Sequence, residues 1–161
     1  MSFRAHIGLG ANLEAPARRV RWAFAQLSAL GEVEATSALF RSVPMGPREQ
    51  PDFCNAVCIL RTALPPPDLM RALLAIERAA GRVREQRWGP RTLDLDLLHV
   101  EGIELQTPEL CLPHPGIAER NFVLVPWAQI AAELAVPGVG LVGALAARIG
   151  TAGLQPWPDA D

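Results

Sequence analysis

Phe53-Cys54-Asn55-Ala56-Val57-Cys58-Ile59-Leu60 is apolar at almost every position on both alternating faces. That pattern suits a central strand covered on both sides. Phe53 and Asn55 share one of its faces, because strand side chains alternate. Upstream, the apolar run Ile7-Gly8-Leu9 ends at Gly10-Ala11-Asn12, after which Val20, Phe24, Leu27 and Leu30 recur at helical spacing until Gly31. A strand followed by a helix is predicted. Val33 to Arg41 reads as a second strand, and Val43 to Asp52 carries too many prolines for regular structure, so a long loop is predicted there. Downstream, Pro65 to Pro67 open a helix whose stripe of Leu69, Leu73, Ile76 and Ala80 stops at Gly81. A second loop, Arg82 to Arg91, leads into an alternating strand from Leu93 to Leu98. The order strand, helix, strand, strand, helix, strand predicts an α+β domain of ferredoxin-like type. Its helices would pack on an antiparallel sheet as three αβα layers.

Length and composition bound the rest. With 161 residues the chain has room for one domain, and with half of them apolar and 20% charged it is not a disordered tail protein. The formal net charge of -2 removes the basic field that non-specific nucleic-acid binders carry. All 15 basic residues are arginine. Without lysine, neither a Walker A phosphate loop nor Schiff-base catalysis is available. A phosphorylated ligand must therefore be held by planar arginine forks. Cys54, Cys58 and Cys111 show no CxxC spacing and are joined only by His6, His99 and His114, so buried thiols in a reducing cytoplasm are expected in preference to a zinc site. Met1 to His6 lacks the apolar core of a signal peptide, and the longest uncharged stretch, between Glu133 and Arg148, is shorter than the ~20 residues of a spanning helix. A soluble cytoplasmic protein is expected, with no membrane and no nucleic-acid partner.

The densest chemical segment runs from Arg82 to Asp96. Arg82, Arg84, Arg87 and Arg91 fall within ten residues, just before Asp94 and Asp96. On a strand those two carboxylates point to the same face with Cα atoms roughly 6 to 7 Å apart. Leu93, Leu95 and Leu97 take the opposite face. A lone D-x-D is often only the polar outer side of an amphipathic strand, and an arginine run is often a solvated face. Here Gly81, Gly89 and Pro90 mark irregular backbone, and no helical or strand periodicity accounts for the arginines. Cations beside paired carboxylates are what transfer of a polyphosphate requires. A magnesium-nucleotide site is predicted.

Residues 87 to 98, R-W-G-P-R-T-L-D-L-D-L-L, closely resemble the signature of the hydroxymethyl-dihydropterin pyrophosphokinases, the folate-pathway enzymes that move pyrophosphate from ATP to a pterin alcohol. G-L-G-A-N-L at 8 to 13, P-M-G-P-R-E-Q-P-D-F-C-N-A at 44 to 56, G-R-V-R at 81 to 84, L-P-H-P at 112 to 115 and R-N-F at 120 to 122 fall in family order. The resemblance extends to about Val136. It implies that Asp94 and Asp96 hold two Mg2+ ions, with Arg82 and Arg91 catalytic. ATP would be contacted by Arg84, Arg87, Trp88 and Arg91, and also by Glu77, Leu97, His114 and Arg120. The arginines and Trp88 would belong to a loop that closes over the nucleotide. The pterin would lie between Phe53 and Phe122, with Asn55 on its amide edge, Ser42, Val43, Pro44 and Met45 completing the pocket, and Asp94 also among the residues that bind it.

This chain departs from the family pattern at Phe53, where tyrosine is common, and at Leu74, Glu85 and Pro115. The resemblance implies one pyrophosphokinase domain over residues 1–161, with the tail beyond about 150 peripheral. A monomer acting on ATP and 6-hydroxymethyl-7,8-dihydropterin is expected. Two other readings stay open at this point. A nucleotidyltransferase would use the same D-x-D and release pyrophosphate in place of AMP. A non-catalytic ferredoxin-like ligand or RNA module would stack bases on Phe53 and Phe122, and would leave Asp94 and Asp96 without a task.

Overall fold

A computed structural model of the chain describes residues 1–43, 51–81 and 93–158. Most of the two expected loops, residues 44–50 and 82–92, lies outside them. In chain order the elements are β1 (Phe3–Ala11), α1 (Pro16–Leu27), β2 (Gly31–Thr36), β3 (Phe40–Ser42), β4 (Phe53–Thr62), α2 (Pro66–Ala79) and β5 (Asp94–Val100). They continue with β6 (Leu105–Gln106), β7 (Cys111–Leu112), α3 (Asn121–Ala131), β8 (Ala135–Val136), β9 (Gly140–Leu141), α4 (Val142–Ile149) and β10 (Leu154–Pro156). The result is an α+β fold built on an antiparallel sheet.

β4 is central, and its residues Cys54 to Leu60 are all buried. β1 pairs along its whole length, from Phe3 opposite Thr62 to Ala11 opposite Cys54. β5 pairs with the far edge of β1, and β10 adds an edge strand beside β3, giving the order β10-β3-β4-β1-β5. The single strand expected from Val33 to Arg41 is two strands in the structure. β2 and β3 lie end to end along one edge of β4, opposite residues 58–62 and 53–55. The break is at Ser37, whose hydroxyl oxygen accepts the Val57 N–H at 2.9 Å where a main-chain carbonyl would otherwise do so. A serine that competes for ladder hydrogen bonds ends a strand for the physical reason that it favours turns.

Alternation along β1, β4 and β5 divides the core in two. Ile7, Leu9, Ala56, Cys58 and Leu95 pack with Val20, Ala23 and Leu27 of α1 and with Leu69, Leu73 and Ile76 of α2. Val57 and Leu98 point the other way and pack with Val123, Leu124 and Trp127 of α3 and Val142 of α4. Gly81, with φ +83, follows α2 in the left-handed conformation that favours glycine at a helix end. Cys54 and Cys58 are buried as expected, and burial pushes the Cys58 thiol up to about 12, which leaves it unreactive. Cys111 differs. It is exposed, because the two-stranded ribbon of β6 and β7 presents it outward. Among the described residues no helix is long and apolar enough to cross a membrane.

One buried polar contact joins sheet to helix. Trp127 of α3 donates its indole N–H to Nδ1 of His6 at 2.9 Å, and His6 Nε2 lies 2.7 Å from Glu101 Oε2. Because Nδ1 accepts, the proton sits on Nε2 and His6 is a neutral ring donating to the carboxylate. Burial holds His6 below the usual histidine range, against the opposing pull of Glu101. His99, paired with His6 across β1 and β5, is lowered by burial too, and its Nδ1 has no hydrogen-bond partner among the described residues. The unfolded chain therefore binds protons at these sites that the folded chain refuses, so stability is lost as pH falls below about 6.5, the unperturbed histidine value. The urea midpoint should be flat above neutrality and decline between about pH 6.5 and 5, ahead of any carboxylate titration. A midpoint unchanged down to about pH 5 would contradict it.

Candidate active site

The pairing register assembles the site. Gly10 stands opposite Asn55 on β4 and opposite Asp94 on β5. Paired residues project to the same face, so Asn55, Gly10 and Asp94 form one row across three strands, and Gly8 with Val57 and Asp96 forms the next. Asn55 and Asp94 are thus two strand spacings apart, about 10 Å. Gly10 lets the amide side chain lie close over the middle strand: a Cβ there would lie 3.0 Å from Asn55 Nδ2 and 3.8 Å from Phe53 Cδ1. The result is a trough with an amide wall, a carboxylate wall and a glycine floor.

Ser42 orients the amide. Its hydroxyl donates to Asn55 Oδ1, which turns Nδ2 toward Gly10 as a donor facing the trough. Both residues are buried, so this orientation is held in a low dielectric. Phe53 opens β4 on the same face, is half-buried and belongs to neither core cluster. Phe122, in the first turn of α3, is half-buried against the second cluster. Val43 is exposed at the end of β3.

On the carboxylate side, Arg120 Nη1 lies 3.9 Å from Asp96 Oδ2, with both side chains partly open to solvent. His114 is fixed by two backbone contacts: its N–H donates to Leu98 O at 2.8 Å, and its Nδ1 accepts the Gly116 N–H at 3.0 Å. That second bond puts the ring proton on Nε2. Burial lowers the His114 pKa, the Asp96 carboxylate pulls it up, and Arg120 pushes it down. A neutral ring donating from Nε2 suits an anionic oxygen. Gly116 makes room for Arg120, since a Cβ there would come within 2.9 Å of the guanidinium carbon. Beside these groups opens a cavity of about 250 Å³, lined by Asp96, Leu97 and His114 with Met70, Leu110 and Cys111.

Asp94 and Asp96 offer hard oxygen donors on one face, both half-exposed. Among the described residues no His, Cys, Asp or Glu completes a group of three around a metal. Two carboxylates fit Mg2+, which binds through one or two carboxylates and takes its other ligands from water and phosphate.

The structure brings together Asp94, Asp96, His114, Arg120 and Leu97 on one side and Ser42, Phe53 and Asn55 on the other. Glu77, a nucleotide contact by the resemblance, lies buried behind β5. It is 4% exposed, and its Oε2 accepts the Leu95 N–H at 2.7 Å. β5 is the edge of the sheet, so this carboxylate caps a strand N–H between the two aspartates. Pro44, Met45, Arg82, Arg84, Arg87, Trp88 and Arg91 lie outside the described residues. Sequence reasoning misses the role of Gly10, although two glycines at alternate strand positions signal close approach to something. The Met70 and Cys111 walls of the cavity carry no sequence signal.

The sequence pattern of the 7,8-dihydro-6-hydroxymethylpterin-pyrophosphokinase (HPPK) family matches residues 6–132. The chain belongs to this family. The 2-amino-4-hydroxy-6-hydroxymethyldihydropteridine pyrophosphokinase of a Synechocystis strain is 44% identical over 136 residues, covering 83% of this chain and 69% of that protein. The Pseudomonas aeruginosa protein of the same name is 42% identical over 159 residues and covers 98% of each chain. A crystal structure of Plasmodium falciparum HPPK-DHPS with pteroate superposes with a TM-score of 0.74 at 13% identity. It covers 92% of this chain, which spans 42% of that longer one. That likeness bears on the fold. The HPPK match covers both walls of the trough and stops short of α4 and β10.

Proposed function

We propose that the chain transfers pyrophosphate from MgATP to the hydroxymethyl group of 6-hydroxymethyl-7,8-dihydropterin and releases AMP, a step of folate biosynthesis. The observation that carries this reading is the row Asn55, Gly10, Asp94: a floor without a side chain, with an amide on one side and a carboxylate about 10 Å away from it. A nucleotide on one side and a flat ring on the other would meet over Gly10. Asp94 and Asp96 would hold the two Mg2+ ions, which supply charge neutralisation of the triphosphate. Arg120 and the Nε2–H of His114 would contact phosphate oxygens, and the neighbouring cavity would take the base. Asn55 Nδ2 would donate to the pterin amide edge while Phe53 and Phe122 cover its faces. The alcohol oxygen attacks the β-phosphorus, the bond from that phosphorus to the bridging oxygen breaks, and AMP leaves with that oxygen. The alcohol proton passes to solvent. Such a transfer asks mainly for positioning and electrostatic stabilisation, and it needs no covalent intermediate.

The same reading takes the chain as one pyrophosphokinase domain of ferredoxin-like connectivity, which the antiparallel neighbours β4, β1 and β5 support. A cytoplasmic setting is supported by three free cysteines. An AMP-release assay with the dihydropterin tests the function. Release of pyrophosphate in place of AMP would establish nucleotidyl transfer instead.

Stacking gives a second expectation. Phe53→Tyr should be nearly neutral, and Phe53→Ala should weaken pterin binding by about 1 to 3 kcal/mol, the worth of one aromatic face against a base. MgATP affinity should barely move. Calorimetry in which both ligands weaken equally would remove Phe53 from the pterin side.

A further inference from the structure

The segment after α4 lies beyond the part of the chain that the HPPK pattern matches, and it touches both the strand beside the amide wall of the trough and the first turn of α3. On one side β10 pairs with β3: Leu154 stands opposite Ser42, Gln155 opposite Arg41 and Pro156 opposite Phe40. β3 in turn pairs with β4, placing Ser42 opposite Phe53 and Phe40 opposite Asn55. The Trp157 N–H donates to Leu39 O at 2.9 Å, and the Arg41 guanidinium carbon lies 5.0 Å from the centre of the Trp157 ring. Gly153, with φ +74, backs onto Val43, whose Cγ2 a Cβ at that position would meet at 3.7 Å. On the other side Asn121, the residue before Phe122, donates its side-chain N–H to Ala152 O at 2.8 Å.

β3 has three residues. A strand so short holds its position weakly by itself, and here it is flanked by β4 on one edge and β10 on the other. Ser42 at its end is the group that orients Asn55. Phe122 is carried by a different element, in the first turn of α3. Residues 152–157 are bonded to both.

We propose that residues 152–157 form a brace that sets the spacing between the Ser42–Asn55 wall and Phe122. Asn121 and Trp157 are its anchors and act as positioning residues for the pterin. This rests on the assignment of Phe53, Asn55 and Phe122 to the pterin. The brace acts on that half of the site, because Asp94 and Asp96 are fixed through β5 and His114 through its bond to the Gly116 N–H. A site that is competent only part of the time binds with its affinity reduced by that fraction, so a loosened brace should be read in pterin affinity.

The test uses full-length chain and two titrations by calorimetry. One takes a non-hydrolysable MgATP analogue alone, and the other takes the dihydropterin in its presence. Trp157→Ala, a large-to-small change, should raise the pterin Kd between about 10- and 100-fold, and Asn121→Ala should raise it about three- to fivefold, with the analogue Kd changed by less than about twofold in both. Trp157→Phe, which keeps a ring face over Arg41, should recover most of the pterin affinity. Asn121→Ala removes one exposed hydrogen bond worth about 1 kcal/mol, so its fold survives even where that of Trp157→Ala does not. Steady-state kinetics should show the change in the pterin KM, with kcat at saturating pterin nearly unchanged. A parent chain that binds pterin, with an Asn121→Ala variant that binds it equally well, overturns the brace alone. Pterin and analogue weakening in step also overturns it, since that is general loosening. A parent chain that fails to bind pterin at all overturns the ligand assignment beneath it.

Discussion

Asp94→Asn and Asp96→Asn should each leave the melting transition intact and reduce turnover by more than about 100-fold, which is the upper end of the loss when a residue that only orients a metal ligand is removed. Both side chains are half-exposed on the open face of β5, so neither supports the core and the exchange of one oxygen for an amide nitrogen has room. The opposite face, Leu95 and Leu97, carries the packing. The substitution removes a negative charge and a hard oxygen donor where, in the proposed site, magnesium would sit against a triphosphate. Steady-state rates across a magnesium titration check it. Added magnesium should recover part of the rate in whichever variant binds the ion more weakly, and near-normal turnover at ordinary magnesium in either would remove that residue from the metal site.

Arg82→Ala and Arg91→Ala should each lower kcat by about 10^3- to 10^5-fold, the range for an arginine that meets charge in a phosphoryl-transfer transition state. The reason is charge supply. In the proposed site a triphosphate and a developing AMP leaving group would need several cations. The chain has no lysine, and Arg120 is the guanidinium that the described residues bring to Asp96. The others must come from the arginines that immediately precede β5 in sequence. Arg18→Ala, on the exposed side of α1, should be silent. Equal losses at all three positions would mean that general electrostatics, and not a focused site, carries the effect.

These two expectations rest on different kinds of information. The aspartate pair is legible in the sequence because alternation in a strand is a local rule: two residues apart means the same face, wherever the strand ends up. The central position of β4 is legible for the same reason, since burial on both faces writes a continuous apolar run from Cys54 to Leu60. The stripe Leu69, Leu73 and Ile76 likewise declares α2 and its buried side. The break between β2 and β3 is only half legible. Ser37 is visible, but its effect depends on Val57 arriving opposite it.

The surroundings of the aspartates come from pairing and packing between distant segments. Backbone ladders carry no residue code, so nothing in β1 announces that Gly10 will separate Asn55 from Asp94 by one empty position. Nothing in α2 tells whether Glu77 faces a ligand or turns inward to cap the Leu95 N–H. His114 and Arg120 reach Asp96 because the segment after β7 folds back onto Leu98. The short segment around Leu154 shows no periodicity by itself, and it becomes a strand only because β3 offers an unpaired edge. Local periodicity is enough to tell which side chains are available and which face of their own element they take. Which of those faces meet is a property of the folded chain, because strand register and helix docking are settled by burial and hydrogen bonding summed over its whole length.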